Sequence, residues 1–132
     1  MKKTSVFIIE KEPATGNLIK YHLLSHQVRQ VQVFPNLAEC LYHMLKRSVP
    51  EFLIVDLSSP DINGFNLLNA IKNSFPAVRV IFLSSVSDES LIKQLIEEGA
   101  SDFIFRSAYK EEWVGELIKN LEYLVREPLP IV

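Results

Sequence analysis

Short apolar runs that recur along the chain constrain its fold more than any other feature. Three of them are nearly continuous in apolar character instead of alternating with polar residues, which is the pattern of a β-strand covered on both faces. We therefore predict a sheet with helices on both sides. The five runs that read as strands are Ser5 to Ile9, Gln30 to Phe34, Phe52 to Val55, Val78 to Leu83 and Asp102 to Phe105.

The segments between these runs carry apolar residues three and four positions apart, a spacing that predicts amphipathic helices. A strand followed by a helix, repeated five times, predicts an α/β fold with a doubly wound, five-stranded parallel sheet and right-handed crossovers. The clearest stripes are Leu37, Leu41, Met44 and Leu45; Leu67, Leu68 and Ile71; and Val114, Leu117, Ile118, Leu121 and Val125.

Capping residues agree with this division. Asn36 and Asp88 precede the second and fourth helices, and Gly99 follows the fourth as a stop signal. The length of 132 residues suits one domain. We expect that domain to cover residues 1–126, with 127–132 as a tail or the start of a linker, because prolines there cannot continue a helix.

Composition excludes several classes of function. The chain has 14 basic and 16 acidic residues, so no positive excess attracts nucleic acid, and we expect no direct nucleic-acid binding. No apolar run approaches the roughly 18 residues of a membrane span, and no signal peptide is recognisable. The lone Cys40, placed among helix-core residues, reads as a small hydrophobe. We expect a cytoplasmic protein.

Polar residues follow four of the predicted strands at their carboxyl ends, where ligands of open parallel sheets bind. Asp56, directly after an apolar strand, is the most informative. Taken alone it is best explained as an acid that ends a strand. A hydroxyl, a fixed cation and a second acid on neighbouring strand ends would instead make an oxyanion pocket around a nucleophilic carboxylate. These residues are Glu10, Lys11 and Glu12; Asp56 and Ser58; Ser84 and Ser85; and Arg106 and Ser107.

Four stretches in the same order resemble the receiver domain of two-component response regulators, from about Ser5 to Val125. The strongest is PEFLIVDLSSPDING, which resembles the phosphoacceptor strand and the loop after it. The others are VFIIEKEP near the start, FPAVRVIFLSS before the fourth helix, and EEGASDFIFRS before the fifth. The resemblance implies a (βα)5 flavodoxin-like fold with strand order 2-1-3-4-5, and a signalling domain rather than an enzyme.

By this resemblance Asp56 occupies the phosphoacceptor position, where a carboxylate attacks the phosphorus of a phosphohistidine. Ser84 matches the hydroxyl that contacts the phosphoryl group, and Phe103 matches the aromatic switch residue. The implied Mg²⁺ ligands are Glu10, Asp56 and the carbonyl of Ser58. A histidine kinase or phosphotransfer protein is the implied partner. The face of the fourth helix, fifth strand and fifth helix is the usual partner surface in the family, through which the chain could form a homodimer.

The chain departs from the family pattern at three positions. Lys11 stands where the family has the acid that ligates Mg²⁺, and its ammonium would repel the metal and pair with Asp56. Arg106 and Ser107 stand where the family has Lys and Pro, and a planar guanidinium is not equivalent to an ammonium. We therefore expect an atypical receiver with weak or absent Mg²⁺ binding and impaired phosphorylation; the alternative is an ordinary phosphorylatable regulator.

Other residues and functions carry weaker signals. Three histidines have no metal-ligand spacing, so a zinc site is not expected and they read as surface residues, while Trp113 and Tyr123 read as partly buried packing residues. A phosphatase or dehalogenase would need a second Asp at position 58, and a flavodoxin-type binder would need a donor-rich loop after the first strand. A stronger rival is a purely structural interaction module. The histidines are His22, His26 and His43.

Overall fold

A computed structural model of the chain describes residues 1–59, 61–107 and 111–127. Five strands alternate with five helices, as the apolar pattern predicts. The elements are β1 Ser5–Ile9, α1 Pro13–Ser25, β2 Gln30–Phe34, α2 Leu37–Lys46, β3 Phe52–Asp56, α3 Gly64–Ser74, β4 Arg79–Ser84, α4 Glu89–Glu97, β5 Asp102–Phe105 and α5 Glu112–Arg126. The predicted tail lies outside the described residues except for Glu127.

The strands form one parallel sheet in the order β2-β1-β3-β4-β5, which confirms the predicted topology. Only β3 and β4 differ from their predicted bounds. The former includes Asp56, and the latter begins at Arg79 and ends at Ser84. Both acquire a polar residue at the carboxyl end, so two of the predicted site residues belong to the sheet itself.

Helices cover the two faces of the sheet and divide the core into two clusters. Alternate strand residues explain the division: Val6 and Ile8 pack with α1 and α5, whereas Phe7 and Ile9 pack with α2, α3 and α4. Every residue of β3 is buried, because this strand lies at the centre of the sheet beneath both helical layers. Central burial is why its sequence does not alternate.

Local sequence signals account for several helix boundaries. Asn36 accepts a hydrogen bond from the backbone N of Glu39, and Asp88 accepts one from that of Leu91, so both predicted caps are confirmed. The prediction missed Asn63, which caps α3 in the same way. Gly99 adopts a left-handed φ of 113° after α4, a conformation that glycine tolerates without a steric penalty.

Several side chains lie elsewhere than predicted. Tyr123 is exposed and Leu45 is 69% exposed, because each points away from the layer that its helix packs on. His43 is not a free surface residue: its ring packs edge-on against Phe7 at a centroid distance of 5.2 Å.

Trp113 is buried, as expected. Cys40 is also buried, and burial raises the pKa of its thiol to about 12.

Candidate functional site

The register of the parallel sheet brings four strand ends together. Ile9 of β1 pairs with Val55 of β3, so the residues that follow them, Glu10 and Asp56, emerge side by side. On the other flank of β3, the backbone N of Arg106 donates a hydrogen bond of 2.7 Å to the carbonyl of Ser84. The sheet therefore places the backbones of Glu10, Asp56, Ser84 and Arg106 at one edge, as the sequence predicts.

Both carboxylate oxygens of Asp56 are bonded to neighbouring protein groups. Oδ1 accepts hydrogen bonds from the backbone N of Ser58 at 2.8 Å and from the hydroxyl of Ser58 at 2.6 Å. Oδ2 forms a short ion pair with Nη1 of Arg106. Asp56 is only 1% exposed, so these partners replace the water that would otherwise solvate its charge.

Glu10 is engaged in a similar way. Its Oε1 accepts a hydrogen bond of 3.1 Å from the backbone N of Glu12, and its Oε2 lies 3.1 Å from Nη1 of Arg106. The same guanidinium nitrogen thus bridges the two buried acids. Between them, Glu10 and Asp56 have all four carboxylate oxygens bonded to protein donors.

The guanidinium of Arg106 also has an apolar neighbour. Its Cζ lies over the ring of Trp113, 5.1 Å from the centroid, within the range of a cation–π interaction. Trp113 is in the first turn of α5 and is 6% exposed. The side chain of Arg106 therefore connects the end of β5 with both the acidic pair and α5.

The environment drives the two acids toward different charge states. Burial, a hydrogen bond to Asp56 and the negative charge of Asp56 raise the pKa of Glu10 to about 7. For Asp56, burial acts to raise the pKa, but hydrogen bonds from Glu10 and Ser58 together with the charge of Arg106 outweigh it, so the pKa is lowered. The pair therefore holds Asp56 ionised and lets Glu10 carry a proton near neutral pH.

A cavity of about 390 Å³ opens beside the acidic pair. Asp56 is not among the residues that line it, although its neighbours Ser58 and Arg106 are. A molecule in this cavity therefore meets the guanidinium and the serine before it meets the buried carboxylate. The lining residues are Glu10, Lys11, Glu12, Ser58, Ser85, Phe105, Arg106 and Ser107.

Two of the predicted site residues point to local partners. Ser84 lies on the same edge, and its hydroxyl exchanges hydrogen bonds with the backbone of Val86, donating to the carbonyl at 3.1 Å and accepting from the N at 3.0 Å. Phe103 is half-buried and packs against the cluster under α2, α3 and α4. It does not line the cavity, whereas Phe105, two residues later, does.

The predicted pairing of Lys11 with Asp56 is not found. Lys11 is exposed at the rim of the cavity, and the cation paired with Asp56 is Arg106. The physical reason lies in the sheet. Arg106 extends from a strand end fixed two strands away and reaches the acids under the cover of Trp113, whereas Lys11 begins a turn that faces solvent.

Two contributors to the site differ from their predicted roles. The sequence predicts a role for Ser58 only through its carbonyl, yet the hydroxyl and the backbone N both donate to Asp56. The sequence predicts Trp113 as a packing residue alone, yet its ring stacks on the guanidinium of Arg106. A serine two residues after an acid is a recognisable local hydrogen-bonding pattern, so the first signal was available. The second was not, because nothing in the sequence pairs position 113 with position 106.

Comparison with known proteins identifies the family. The sequence model of the response regulator receiver domain matches residues 6–118. This chain belongs to that family. Among curated relatives, this receiver domain is 30% identical over 104 residues to the transcriptional regulatory protein CreB of Escherichia coli, covering 79% of the chain and 44% of the relative. It is 28% identical over 102 residues to the transcriptional regulatory protein MalR of Bacillus subtilis, covering 77% of the chain and 43% of the relative.

The receiver domain thus spans less than half the length of these two relatives. Solved structures show the same fold. The isolated receiver domain of RcsB from Salmonella enterica superposes with a TM-score of 0.81 at 21% identity, covering 94% of this chain and 89% of that one. The receiver domain of a Francisella response regulator gives a TM-score of 0.78 at 18% identity, covering 92% of this chain and 96% of that one.

Two negative observations concern the described residues. Across 1–59, 61–107 and 111–127, no cluster of three or more His, Cys, Asp or Glu has the geometry to hold a metal ion. Over the same ranges, no helix has the length and apolar character needed to cross a membrane.

Proposed function

We propose that this receiver domain is atypical: it keeps the phosphoacceptor position at Asp56, is phosphorylated weakly or not at all, and acts through protein–protein contacts. The observation that supports this proposal is the bridge that Arg106 makes between Asp56 and Glu10. Receiver domains bind Mg²⁺ at an acidic pocket and exchange phosphoryl groups with histidine kinases or phosphotransfer proteins. In this chain an internal cation occupies the acidic pocket.

The residues present do not fit a magnesium ion. A hard divalent cation takes carboxylate and water oxygens at about 2.1 Å in a nearly octahedral arrangement. The oxygens of Glu10 and Asp56 already accept bonds from protein donors, and the guanidinium that bridges them would repel a second cation. The position of the family's other acid carries the exposed Lys11. Glu10, Asp56 and Ser58 would have to exchange their present partners before they could serve as ligands.

The same contacts oppose phosphoryl transfer. In that reaction a carboxylate oxygen of Asp56 forms a bond to phosphorus while the bond from phosphorus to the donor's imidazole nitrogen breaks, and the nitrogen keeps the electron pair. The nucleophile must reach phosphorus in line with the leaving group. Asp56 is 1% exposed and both of its oxygens are bonded, so the attack requires Arg106 or Ser58 to move first.

Some features favour the alternative, an ordinary phosphorylatable regulator. Asp56 has a lowered pKa and is therefore an ionised carboxylate, which is the nucleophilic form. Ser84 supplies the expected hydroxyl, and Arg106 can bind phosphate oxygens in a bidentate manner once it leaves the acids. These features supply the carboxylate, the hydroxyl and the cation that the reaction needs, but they do not give a phosphoryl donor access to Asp56.

The partner surface is proposed from the family's usual face, made by α4, β5 and α5. Three large apolar side chains of these elements are exposed: Ile96 at 43%, Phe105 at 44% and Tyr123 at 64%. We propose a homodimer or a heterologous complex through this face, in the cytoplasm, without direct contact to nucleic acid. Sedimentation analysis of the wild type and of Phe105→Glu tests the homodimer, which the substitution should dissociate.

Labelling with acetyl phosphate tests the proposed function. The chain is incubated with acetyl phosphate and Mg²⁺, and intact mass is measured for the wild type, for Asp56→Asn and for the double variant Lys11→Asp/Arg106→Lys. We expect little or no mass gain in the wild type and a gain of one phosphoryl group in the double variant. Stoichiometric labelling of the wild type that is absent from Asp56→Asn would refute the proposal and favour the ordinary regulator.

A further inference from the structure

We propose that Trp113 is a positioning residue that holds the guanidinium of Arg106 on the carboxylates of Glu10 and Asp56, so that helix α5 controls whether the pocket is open to a divalent cation. The inference rests on the proposed function, since it explains what keeps the guanidinium of Arg106 between the two acids. It is supported by a different contact, the stacking of Arg106 on Trp113 with Cζ 5.1 Å from the ring centroid.

Arg106 has a fixed backbone but a mobile side chain. Its backbone N donates to the carbonyl of Ser84 at 2.7 Å. Its long side chain still has several rotatable bonds, and 22% of its surface is exposed, so rotamers that point into solvent compete with the bridge. A further contact is therefore needed to favour the one rotamer of Arg106 that reaches both acids.

Trp113 provides a rigid surface for this side chain. It is 6% exposed and belongs to the same core cluster as Leu117 and Leu121 of α5, so its ring plane is fixed by packing. The guanidinium lies over this ring with its Nη1 directed at the acids. A planar cation gains from the face of an aromatic ring, most of all when it is partly shielded from water. An ammonium at this position would lack the planar stacking.

The stacking couples the start of α5 to the acidic pair. Trp113 is the second residue of this helix, and the neighbouring residues Glu112 and Glu116 are exposed. A change that moves the first turn of this helix alters the stacking and therefore the stability of the bridge. Because coupling between two sites is reciprocal, a cation that displaced Arg106 from the acids would in turn disturb α5.

The test compares the full chain with Trp113→Leu, which removes the π face, and Trp113→Phe, which retains one. The first measurement is the rate of rotation about the Nε–Cζ bond of Arg106, from NMR of its nitrogen-labelled guanidinium. We expect Trp113→Leu to accelerate rotation by roughly two- to thirtyfold, the factor that the usual strength of a cation–π contact implies, and Trp113→Phe to change it by less than about twofold. Ile118→Ala, a core change elsewhere on α5, is the control for general destabilisation and should leave the rate unchanged.

The second measurement is Mg²⁺ affinity in a double-mutant cycle with Arg106→Gln, followed through the backbone amide signals of Leu57 and Ser58. Trp113→Leu should tighten Mg²⁺ binding when Arg106 is present and should have no effect in the R106Q background, because Trp113 acts through Arg106. Equal effects in both backgrounds, or equal rotation rates in the Leu, Phe and wild-type chains, would overturn the inference. Labelling of the wild type by acetyl phosphate would refute the proposed function, but it would leave the positioning role of Trp113 intact.

A separate measurement keeps the inference testable if Trp113→Leu does not fold. Trp113 is the only tryptophan of the chain, so the intrinsic tryptophan emission comes from the stacked ring alone. Arg106→Lys removes the planar cation and leaves the ring in place. We expect a shift of the emission maximum and altered quenching by iodide. A spectrum identical to that of the wild type would show that the stacking does not exist in solution.

Discussion

Nη1 of Arg106 lies 3.1 Å from Oε2 of Glu10 and is at the same time ion-paired with Asp56. One nitrogen therefore compensates two acids that are almost fully buried. The contact between the two carboxyl groups raises the pKa of Glu10, and the charge of Arg106 helps to keep Asp56 ionised. The same contact that stabilises the acidic pair occupies the oxygens that a receiver domain uses for its chemistry.

Removal of this cation should destabilise the fold. Arg106→Gln leaves the charge of Asp56 without its ion pair, and we expect a loss of about 2 kcal/mol in the free energy of unfolding at pH 7. Arg106→Lys should recover part of that loss, because it restores the charge without the planar geometry. Urea unfolding followed by circular dichroism measures both values. A glutamine variant as stable as the wild type would show that the ion pair contributes nothing net.

The pH dependence of stability should carry the signature of Glu10. Its pKa is about 7 in the folded chain against an ordinary value of 4.5, so between these values the folded state binds more protons than the unfolded state. Stability from this group is therefore fully present below about pH 4.5 and is lost as pH rises through about 7. The change is on the order of 3 kcal/mol.

Glu10→Gln should flatten this part of the profile, because the amide keeps the shape of the side chain and does not titrate. Glu12→Gln, an exposed change in the same loop, is the matched control and should leave the profile as it is. Asp56 acts in the opposite sense: its lowered pKa gives stability that is lost as the solution becomes strongly acidic. Urea midpoints measured in metal-free buffer from pH 4 to 8 provide the comparison, and a glutamine variant with the wild-type slope would contradict the assignment.

Restoring the family's acid should restore metal binding. Lys11→Asp removes a positive charge from the rim of the cavity and adds a carboxylate, and we expect Mg²⁺ affinity to rise at least about tenfold. Combination with Arg106→Lys should raise it further, because the bridge across the acids is weakened. Lys11→Gln separates loss of the cation from gain of a ligand. Calorimetric titration measures the affinities, and identical titration curves for all variants would rule out this account of the metal site.

The hydroxyl of Ser58 should matter for the charge state of Asp56. Ser58→Ala removes the hydrogen bond of 2.6 Å to Oδ1 and should raise the pKa of Asp56. The expected loss of stability at pH 7 is about 1–2 kcal/mol, since hydrogen bonds to charged groups are stronger than neutral ones. Ser85→Ala, which changes an exposed serine lining the same cavity, is the control. Carboxyl carbon NMR titration and urea unfolding measure the two effects, and a Ser58 variant that matches this control would contradict the assigned role.

The strands and the candidate residues could be read from local pattern. Phe52 to Val55 is apolar throughout because β3 is covered on both faces, and Asp56 follows it because the chain reaches the edge of the sheet there. Asn36 and Asp88 act as caps through contacts within three residues. Properties of this kind depend on neighbours in the sequence, so the sequence determines them. The convergence of Glu10, Asp56, Ser84 and Arg106 also followed, from the general rule for the ends of parallel strands.

Only the tertiary structure decided which cation pairs with Asp56. Lys11 is adjacent in sequence to Glu10, yet Arg106, 50 residues beyond Asp56, makes the contact. Sequence spacing does not reveal which rotamer a long side chain adopts, since that choice depends on the surface it packs against. Here that surface is the ring of Trp113 on α5, 5.1 Å from the guanidinium carbon. The packing of α5 against the end of β5 thus places an aromatic ring beside Arg106, a contact that sequence spacing does not reveal.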